Sequence, residues 1–540
     1  MDRSFLRNKK KKGLLLLLLI ISALLLIGCT KGGGSKTLPD SELTNASWRT
    51  TLTIASGSEN KELEPLLSRF AKENKINLDM RYKGSIDIAR ELGLDTVPFD
   101  AVWPASSMWI SIGDTRHRVK YAESVSTTPV AFGIKESLAK KLGFVGRQVS
   151  VRDILEKIRS GELTFCMTSA TQSNSGCSAY IGFLYALLDN PDMITDDMLA
   201  QDTLRTDIMA LLGGVDRSSG SSEWLKTLFL EGEYDAMVNY ESLILSANRE
   251  LVQQGREPLY IIYPYDGFSL SDAPLGYVDQ GNKQKEEAFQ KLKSFLMSEA
   301  VQKEIQAYGR RTGYAGIAAE HQAVWKKEWG ADLDIILSPI RMPEAEVLGT
   351  ALNLYQTQFR ISTRSMAFSG SMSGDPSKQL KKAMERVLIQ QYAAENLLQA
   401  SQGEENIVVL FSSRVEKVVS ATGSVDIENL YTHIAQESPS GGTAMYEALH
   451  ETLALMGGYD VSDYTPAVIL MTDGEANGKL DFEDFQQFYE EAGNNIPVFC
   501  ISFGNADVKA LERIAEMTKA RVFDGGKDLI EAFRKAKGYN

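Results

Sequence analysis

Histidine and cysteine, the residues that build most catalytic and metal centres, are scarce in this chain. Four histidines (His117, His321, His433 and His450) and four cysteines are spread over 540 residues. Four cysteines cannot staple a chain of this length, so a disulfide scaffold is excluded. His450-Glu451 begins like a zinc-protease helix, but no second histidine follows one turn later, and two ligands cannot share the helical face. The nucleophile elbow G-x-S-x-G, the P-loop and a G-x-G-x-x-G after a strand are absent too. Acidic pairs abound, as at Asp481, Glu483 and Asp484, and read most simply as a solvated helix start. The sequence therefore points to binding rather than catalysis.

Positive charge is also short. There are 58 basic against 71 acidic side chains, a net charge of -13, and six of the basic residues lie within the first twelve positions. Without residues 1–28 the balance is 52 against 70, or -18. So acidic a surface repels phosphate backbones, and nucleic acid is excluded as the main partner. What is plentiful is core material: 43% of residues are hydrophobic and 24% charged, so the chain folds, and its length calls for several domains.

The basic start (Arg3, Arg7, Lys9 to Lys12) runs into the apolar stretch 14–27 and then Gly28-Cys29. Basic, apolar and small segments in that order make an export signal, too short for a comfortable membrane span. Leu26-Ile27-Gly28-Cys29 resembles a bacterial lipobox. The resemblance implies cleavage after residue 28, lipidation of Cys29 and attachment to the outer side of a cell membrane, periplasmic or extracellular. The alternative is an uncleaved anchor with an incidental cysteine. Residues 29–47, with Gly32-Gly33-Gly34-Ser35, read as a flexible tether. Cys166 and Cys177 are spaced so that pairing is open, whereas Cys500 sits in an apolar run and reads as a buried thiol.

From residue 51 short β-rich runs alternate with helical ones, the pattern of α/β layers built on parallel strands. Small, hydroxyl-rich loops recur where a strand gives way to a helix: Ser56-Gly57-Ser58, Gly84-Ser85, Ala105-Ser106-Ser107, and 168–176 with Asn174 and Ser175. Free N–H groups and hydroxyls at such junctions suit a polar ligand. Each serine taken singly is as readily a helix cap or a turn residue.

The order of Ile54-Ala55-Ser56-Gly57-Ser58-Glu59, Asp100-Ala101-Val102-Trp103, Ser126-Thr127-Thr128-Pro129, Val238-Asn239-Tyr240-Glu241 and Tyr263-Pro264-Tyr265-Asp266-Gly267 resembles bacterial extracellular solute-binding proteins over 48–345. The resemblance implies two lobes, crossed near 125–132 and 261–275, that close on a small polar solute. It also implies a ligand set of Ser56, Ser58, Ser85, Ser106, Ser107, Asn174, Ser175 and Tyr240.

Helical apolar spacing over 343–359 predicts a connecting helix, assigned to 346–360, before a second α/β module at 361–540. Its strands are expected at 365–368, 406–411, 467–471 and 497–503, with Asp375-Pro376 starting a helix. The loops at their ends carry Ser369, Ser371, Thr443 and Asp473, hard oxygen donors of the kind that hold Mg²⁺ or a similar divalent cation. In this order they resemble the metal-ion-dependent adhesion site of the von Willebrand factor type A domain, a doubly wound, Rossmann-like fold that docks protein partners. The first position of that motif, an aspartate, is Ala367 here. A methyl offers the ion nothing, so metal affinity is expected to fall. Either the site has diverged to work without metal or the chain carries an inactivating change. Together these features imply a lipid-anchored, non-catalytic binding protein with a solute cleft and a partner-binding domain. Its rivals are an adhesin or scaffold with an empty cleft and a metal-dependent envelope hydrolase.

Overall fold

The computed structural model describes residues 41–42, 49–267, 269–313, 316–333, 340–359, 363–369, 375–394, 396–401, 403–437, 441–458, 466–493, 495–526 and 528–538. Cys29, the predicted signal segment and most of the predicted tether lie outside these residues. In chain order the first strands are β1 (Thr51–Gly57), β2 (Asn77–Lys83), β3 (Ala101–Trp103), β4 (Val119–Ser124), β5 (Thr128–Lys135) and β6 (Phe165–Thr168). They are followed by β7 (Val215–Ser219), β8 (Ala236–Tyr240), β9 (Leu259–Ile262), β10 (Leu270–Ser271) and β11 (Pro274–Val278).

Two sheets result. The first runs β2-β1-β3-β11-β4, with β1 parallel to both neighbours and β11 antiparallel to β3 and β4; the two-residue strand Ser41–Glu42 joins its β2 edge. The second runs β9-β5-β8-β6-β7, and β10 pairs with β5. The chain leaves the first sheet after β4, builds the second, and returns through β10 to β11. Thr127 and Arg311 form a further antiparallel bridge at this crossing. Each sheet buries its own core: Leu52, Phe70, Trp103 and Phe289 in the first, Phe132, Phe165, Tyr180 and Phe183 in the second.

Three helices of the first lobe and its partner position the loops between the sheets. Helix α1 (Ser85–Leu92) follows β2, α2 (Ser107–Gly113) follows β3, and α3 (Asn174–Leu187) follows β6. Every residue of α3 is buried, which its apolar sequence demands, since no face could meet water without cost. Helices α4 (Ser222–Glu231) and α5 (Glu241–Gln253) follow β7 and β8. The connecting segment forms α6 (Ala345–Leu354) and a wider turn over Tyr355–Phe359. It is packed on α3: the Tyr180 hydroxyl donates to the Ala351 carbonyl at 2.9 Å, and the Tyr180 and Tyr355 rings meet edge-on at 5.1 Å.

The C-terminal sheet contains β12 (Thr363–Ser369), β13 (Glu405–Phe411), β14 (Val415–Thr422), β15 (Ala467–Thr472), β16 (Val498–Ser502) and β17 (Val522–Asp524) in the order β14-β13-β12-β15-β16-β17. All neighbours are parallel except β13 and β14. Strands β15 and β16 are buried at every position, as their continuous apolar runs require between two helical layers. Helix α7 (Asp375–Leu388) follows β12, α8 (Met445–Met456) precedes β15, α9 (Phe482–Ala492) follows it, and α10 (Leu529–Gly538) ends the domain. The strand order reverses between β12 and β15, and the crevice of a doubly wound sheet opens at such a switch point, beyond the carboxyl ends of the strands. The mixed α/β architecture, two lobes and then a doubly wound sheet, is the one the sequence pattern implies. Among the described residues no helix is long and apolar enough to cross a membrane.

Candidate functional site: an interlobe cleft and a loop crevice

The loops at the carboxyl ends of β1, β3, β6, β7 and β8 face each other between the first two sheets. Asn174, at the start of α3, is the hub. Its Oδ1 accepts from the Trp109 indole at 2.7 Å, and its Nδ2 donates to the Tyr240 hydroxyl at 3.0 Å and to Ser271 Oγ at 2.9 Å. Trp109 comes from the first lobe and the rest from the second or the crossing strand, so one amide ties the lobes together. A second tie is Ser221 Oγ donating to Ser58 Oγ at 3.0 Å. Behind it lies a hydroxyl cluster: Ser175 is 2.7 Å from Thr168, 3.2 Å from Ser173 and 2.8 Å from Ser222.

Of the serines and polar residues named from sequence, Ser58, Asn174, Ser175 and Tyr240 are thus brought to the seam. The others bond within or between loops of the first lobe and the crossing segment. Ser56 donates to the Gly57 carbonyl and accepts from Asn60, Ser85 accepts from the Ala105 amide, Ser106 caps α2, and Ser107 is exposed with its amide on Asp272. Sequence reasoning missed Trp109, Ser221, Ser222 and Ser271, which stand beside quoted loops but carry no signal of their own.

It also missed the acidic character of the seam. Glu59 directly follows Ser58 and is 4% exposed, its carboxyl folded over Gly57 where a Cβ would sit only 2.1 Å from Oε1. Oε1 has no hydrogen-bond partner among the described residues. Burial pushes this carboxyl from the ordinary 4.5 up to about 7, against the opposing pull of the nearby Arg310 charge. Arg310 itself is spent on the Asn60 side chain at 2.9 Å and the Glu59 carbonyl at 2.6 Å. Lys226 lies among Glu62, Glu223 and Glu250 at 3.3–3.4 Å, and desolvation raises Glu223 as well. Glu241, fully buried, is held by Arg311 at 2.7 and 2.9 Å.

Cys166 and Cys177 are both free and buried, so the disulfide left open from their spacing does not form. The reason is geometric: Cys166 belongs to the core on one face of its sheet and Cys177 to the core on the other.

In the C-terminal domain β12 delivers Ser369 to the switch-point edge beside Phe411 of β13, while Ala367 pairs inside the sheet with Val409 and Leu470. Ser371 lies outside the described residues. Thr443 is buried, its amide donating to Asn477 Oδ1 at 2.6 Å, and Asn477 returns its own amide to the Thr443 carbonyl at 3.0 Å. Asp473 follows β15, with its carbonyl accepting from the Asn505 amide at 3.1 Å and its Cβ 3.1 Å from where a Cβ of Gly504 would lie. Asp473 is the motif's remaining carboxylate. Asp375 points to solvent beside Lys378, Glu475 is exposed, and among the described residues no group of three or more His, Cys, Asp or Glu converges on a point. The donor set is one carboxylate short of the adhesion site it resembles.

Comparison with known proteins agrees with this architecture. Residues 52–311 match the family model described as bacterial extracellular solute-binding protein, and 368–529 match the von Willebrand factor type A domain. No curated protein matches the chain. Similar solved structures include the sulfate-binding protein SubI from Mycobacterium tuberculosis H37Rv, at 16% identity and TM-score 0.39 over 56% of this chain and 96% of that one. Others are a periplasmic thiamin binding protein, at 14% and 0.41 over 56% and 93%, and AfuA from Actinobacillus pleuropneumoniae, at 13% and 0.38 over 50% and 88%. The chain joins a bacterial extracellular solute-binding domain to a von Willebrand factor type A domain.

Proposed function

We propose that this protein is a non-catalytic receptor of the bacterial cell surface. It is tethered through a lipid on Cys29, faces the periplasm or the exterior, captures a small polar solute between its lobes and offers its von Willebrand A domain to a protein partner. The observation that carries the reading is the pair of polar ties across the seam, Trp109–Asn174–Tyr240 and Ser58–Ser221. Both join loops at carboxyl ends of strands, and both consist of groups that a solute would engage in their place. Closure of lobes on a ligand is a hinge motion of this kind of architecture.

The proposed solute contacts are Ser58, Asn174, Ser175 and Tyr240, with Glu59 added. A buried carboxylate with an unpartnered oxygen favours a solute that brings a hydrogen-bond donor or a positive charge and disfavours an oxyanion. Ser56, Ser85, Ser106 and Ser107 then shape loops rather than touch solute. On the second domain, Ser369, Ser371, Thr443 and Asp473 frame the partner-binding edge, and Ala367 leaves Mg²⁺ or another divalent cation weakly held.

A second reading, a scaffold with a permanently shut cleft, is favoured by the same ties, because the polar groups already satisfy one another. Native mass spectrometry of a soluble form starting after Cys29, followed by denaturation, separates the two. A released small molecule carrying an amine or hydroxyl donors is the expected result. A bare mass, unchanged when the protein is mixed with panels of amines, amino acids and sugars at millimolar concentration, would establish the scaffold instead.

A further inference from the structure

The last helix of the von Willebrand A domain reaches into the seam between the two solute-binding lobes. Arg534 of α10 is 3% exposed on its side chain, and its Nη2 is hydrogen-bonded to Asp87 Oδ1, in the first turn of α1 of the first lobe. It is steadied by Glu531 of its own helix, at 2.9 and 3.0 Å. The carbonyl of the same residue accepts from Gln172 Nε2, on the loop that leads into α3 of the second lobe. One turn on, the Gly538 carbonyl accepts from Ser218 Oγ of β7 at 3.4 Å. A Cβ on Gly538 would lie 2.1 Å from the end of the Gln172 side chain, so a larger residue here would push that amide aside.

Gln172 is the pivot. Its carbonyl oxygen would lie 2.1 Å from a Cβ on Gly84, so the same residue abuts the first lobe with its backbone and the terminal helix with its side chain. The helix is in turn fixed to its own domain: Lys537 Nζ donates to the Leu398 carbonyl at 2.6 Å and the Gln399 carbonyl at 3.1 Å. Flanking contacts extend the junction to both lobes. Arg90 donates to Asn396 at 2.9 Å, Arg217 to the Lys519 carbonyl at 3.1 Å, and the Arg521 guanidinium lies 4.8 Å above the Trp224 ring.

We infer that helix α10 is a latch: by holding Asp87 of one lobe and Gln172 and Ser218 of the other, it keeps the cleft shut and couples solute exchange to the placement of the von Willebrand A domain. The lobes cannot separate while both grips hold, because Asp87 and Gln172 are on opposite sides of the seam. Opening must break either the Arg534–Asp87 pair or both second-lobe bonds, Gln172–Arg534 and Ser218–Gly538, and each loss strands a buried polar group. Linkage then works in both directions: a solute that pushes the lobes apart loosens the domain, and a partner that draws the domain away opens the cleft.

The test uses the full mature chain and no solute, so its failure would leave solute capture untouched. Amide hydrogen exchange is followed for 84–92 and 168–176, with β15 and β16 as internal references, in Arg534→Gln, Asp87→Asn and the double variant. Each single substitution is expected to raise exchange at both segments by about tenfold, the double no more than the larger single, and β15 and β16 are expected to stay protected. Unchanged exchange in either single variant, additive effects in the double, or protection lost throughout the C-terminal sheet would overturn the latch. Should Arg534→Gln fail to fold, Gly538→Ala leaves every charge in place and drives a methyl against Gln172. It is expected to loosen the same two segments, and unaltered exchange would equally overturn the inference.

Discussion

Glu59→Gln is the substitution whose outcome follows most directly from the geometry. The native carboxyl is buried and titrates near 7 instead of the ordinary 4.5, and the first cause is desolvation rather than any neighbour. Below pH 4.5 it is protonated in folded and unfolded chains alike and contributes no pH dependence. As pH rises from 4.5 to 7 the unfolded chain releases the proton while the folded one retains it, so stability falls; above 7 both are ionised and the deficit is constant. At about 1.4 kcal/mol for each tenfold in proton affinity, the buried carboxylate costs on the order of 3 kcal/mol at pH 8. Glutamine keeps the shape and carries no charge. It should therefore stabilise the domain at pH 8 by about 1 to 3 kcal/mol, allowing for an amide that finds no better partners than the acid did, and give no gain at pH 4.5.

The assay is urea unfolding followed by tryptophan fluorescence at the two pH values. All six tryptophans precede residue 330, so the signal reports the solute-binding domain, with Trp224 also sensing its contact with Arg521 of the second domain. The competing account is that Glu59 is chiefly the counter-charge of Arg310. In that case glutamine would destabilise, and most at high pH. That sign, or a difference between the proteins that does not change with pH, would refute the desolvation argument.

Other outcomes follow from individual contacts. Asn174→Ala removes the acceptor of Trp109 and the donor to Tyr240 and Ser271, and should lower the same unfolding free energy by about 3 kcal/mol; a loss under about 1 kcal/mol would show that the hub holds little. Ala367→Asp restores the first position of the adhesion motif, and calorimetric Mg²⁺ affinity should rise at least about tenfold; no gain would mean that these loops are not a damaged metal site. The thiols of Cys166, Cys177 and Cys500 are buried, with burial pushing Cys177 up to about 12, so a water-soluble thiol reagent should label none of them in the native soluble form and all three after denaturation. A single reactive thiol after denaturation would reveal a 166–177 bridge.

Most of the architecture was legible because period and punctuation carry it. The unbroken apolar runs of β15 and β16 are of the kind buried in parallel sheets, and Asp375-Pro376 marks the start of α7. The hydroxyl-rich loops were legible as loops, but their loyalties were not. Ser56 and Ser58 are two residues apart in one loop, yet Ser56 closes its own turn while Ser58 meets Ser221 from a strand end more than 160 positions away. Local sequence contains the first kind of bond and not the second.

The same limit explains why the acidic seam escaped notice. In a chain with 71 acidic residues one more glutamate after Ser58 is unremarkable; it acquires meaning only when burial removes its water and leaves an oxygen unpartnered. Asp87 reads as an ordinary helix-start acid until Arg534, 447 residues later, is found against it. Helix α10 itself, read alone, is an amphipathic last helix whose basic residues suit its carboxyl end. Glu59 and Asp87 together give the cleft two carboxylates, one with an oxygen that has no partner among the described residues and one held by the chain's own guanidinium. A positively charged solute would gain at the first, and through the second would compete with the domain that closes over it. If that is how the protein works, solute affinity should rise when Arg534 is neutralised, and a titration with the solute recovered by mass spectrometry would show a lower dissociation constant for Arg534→Gln than for the parent; an equal or higher one would separate the two carboxylates into unrelated roles.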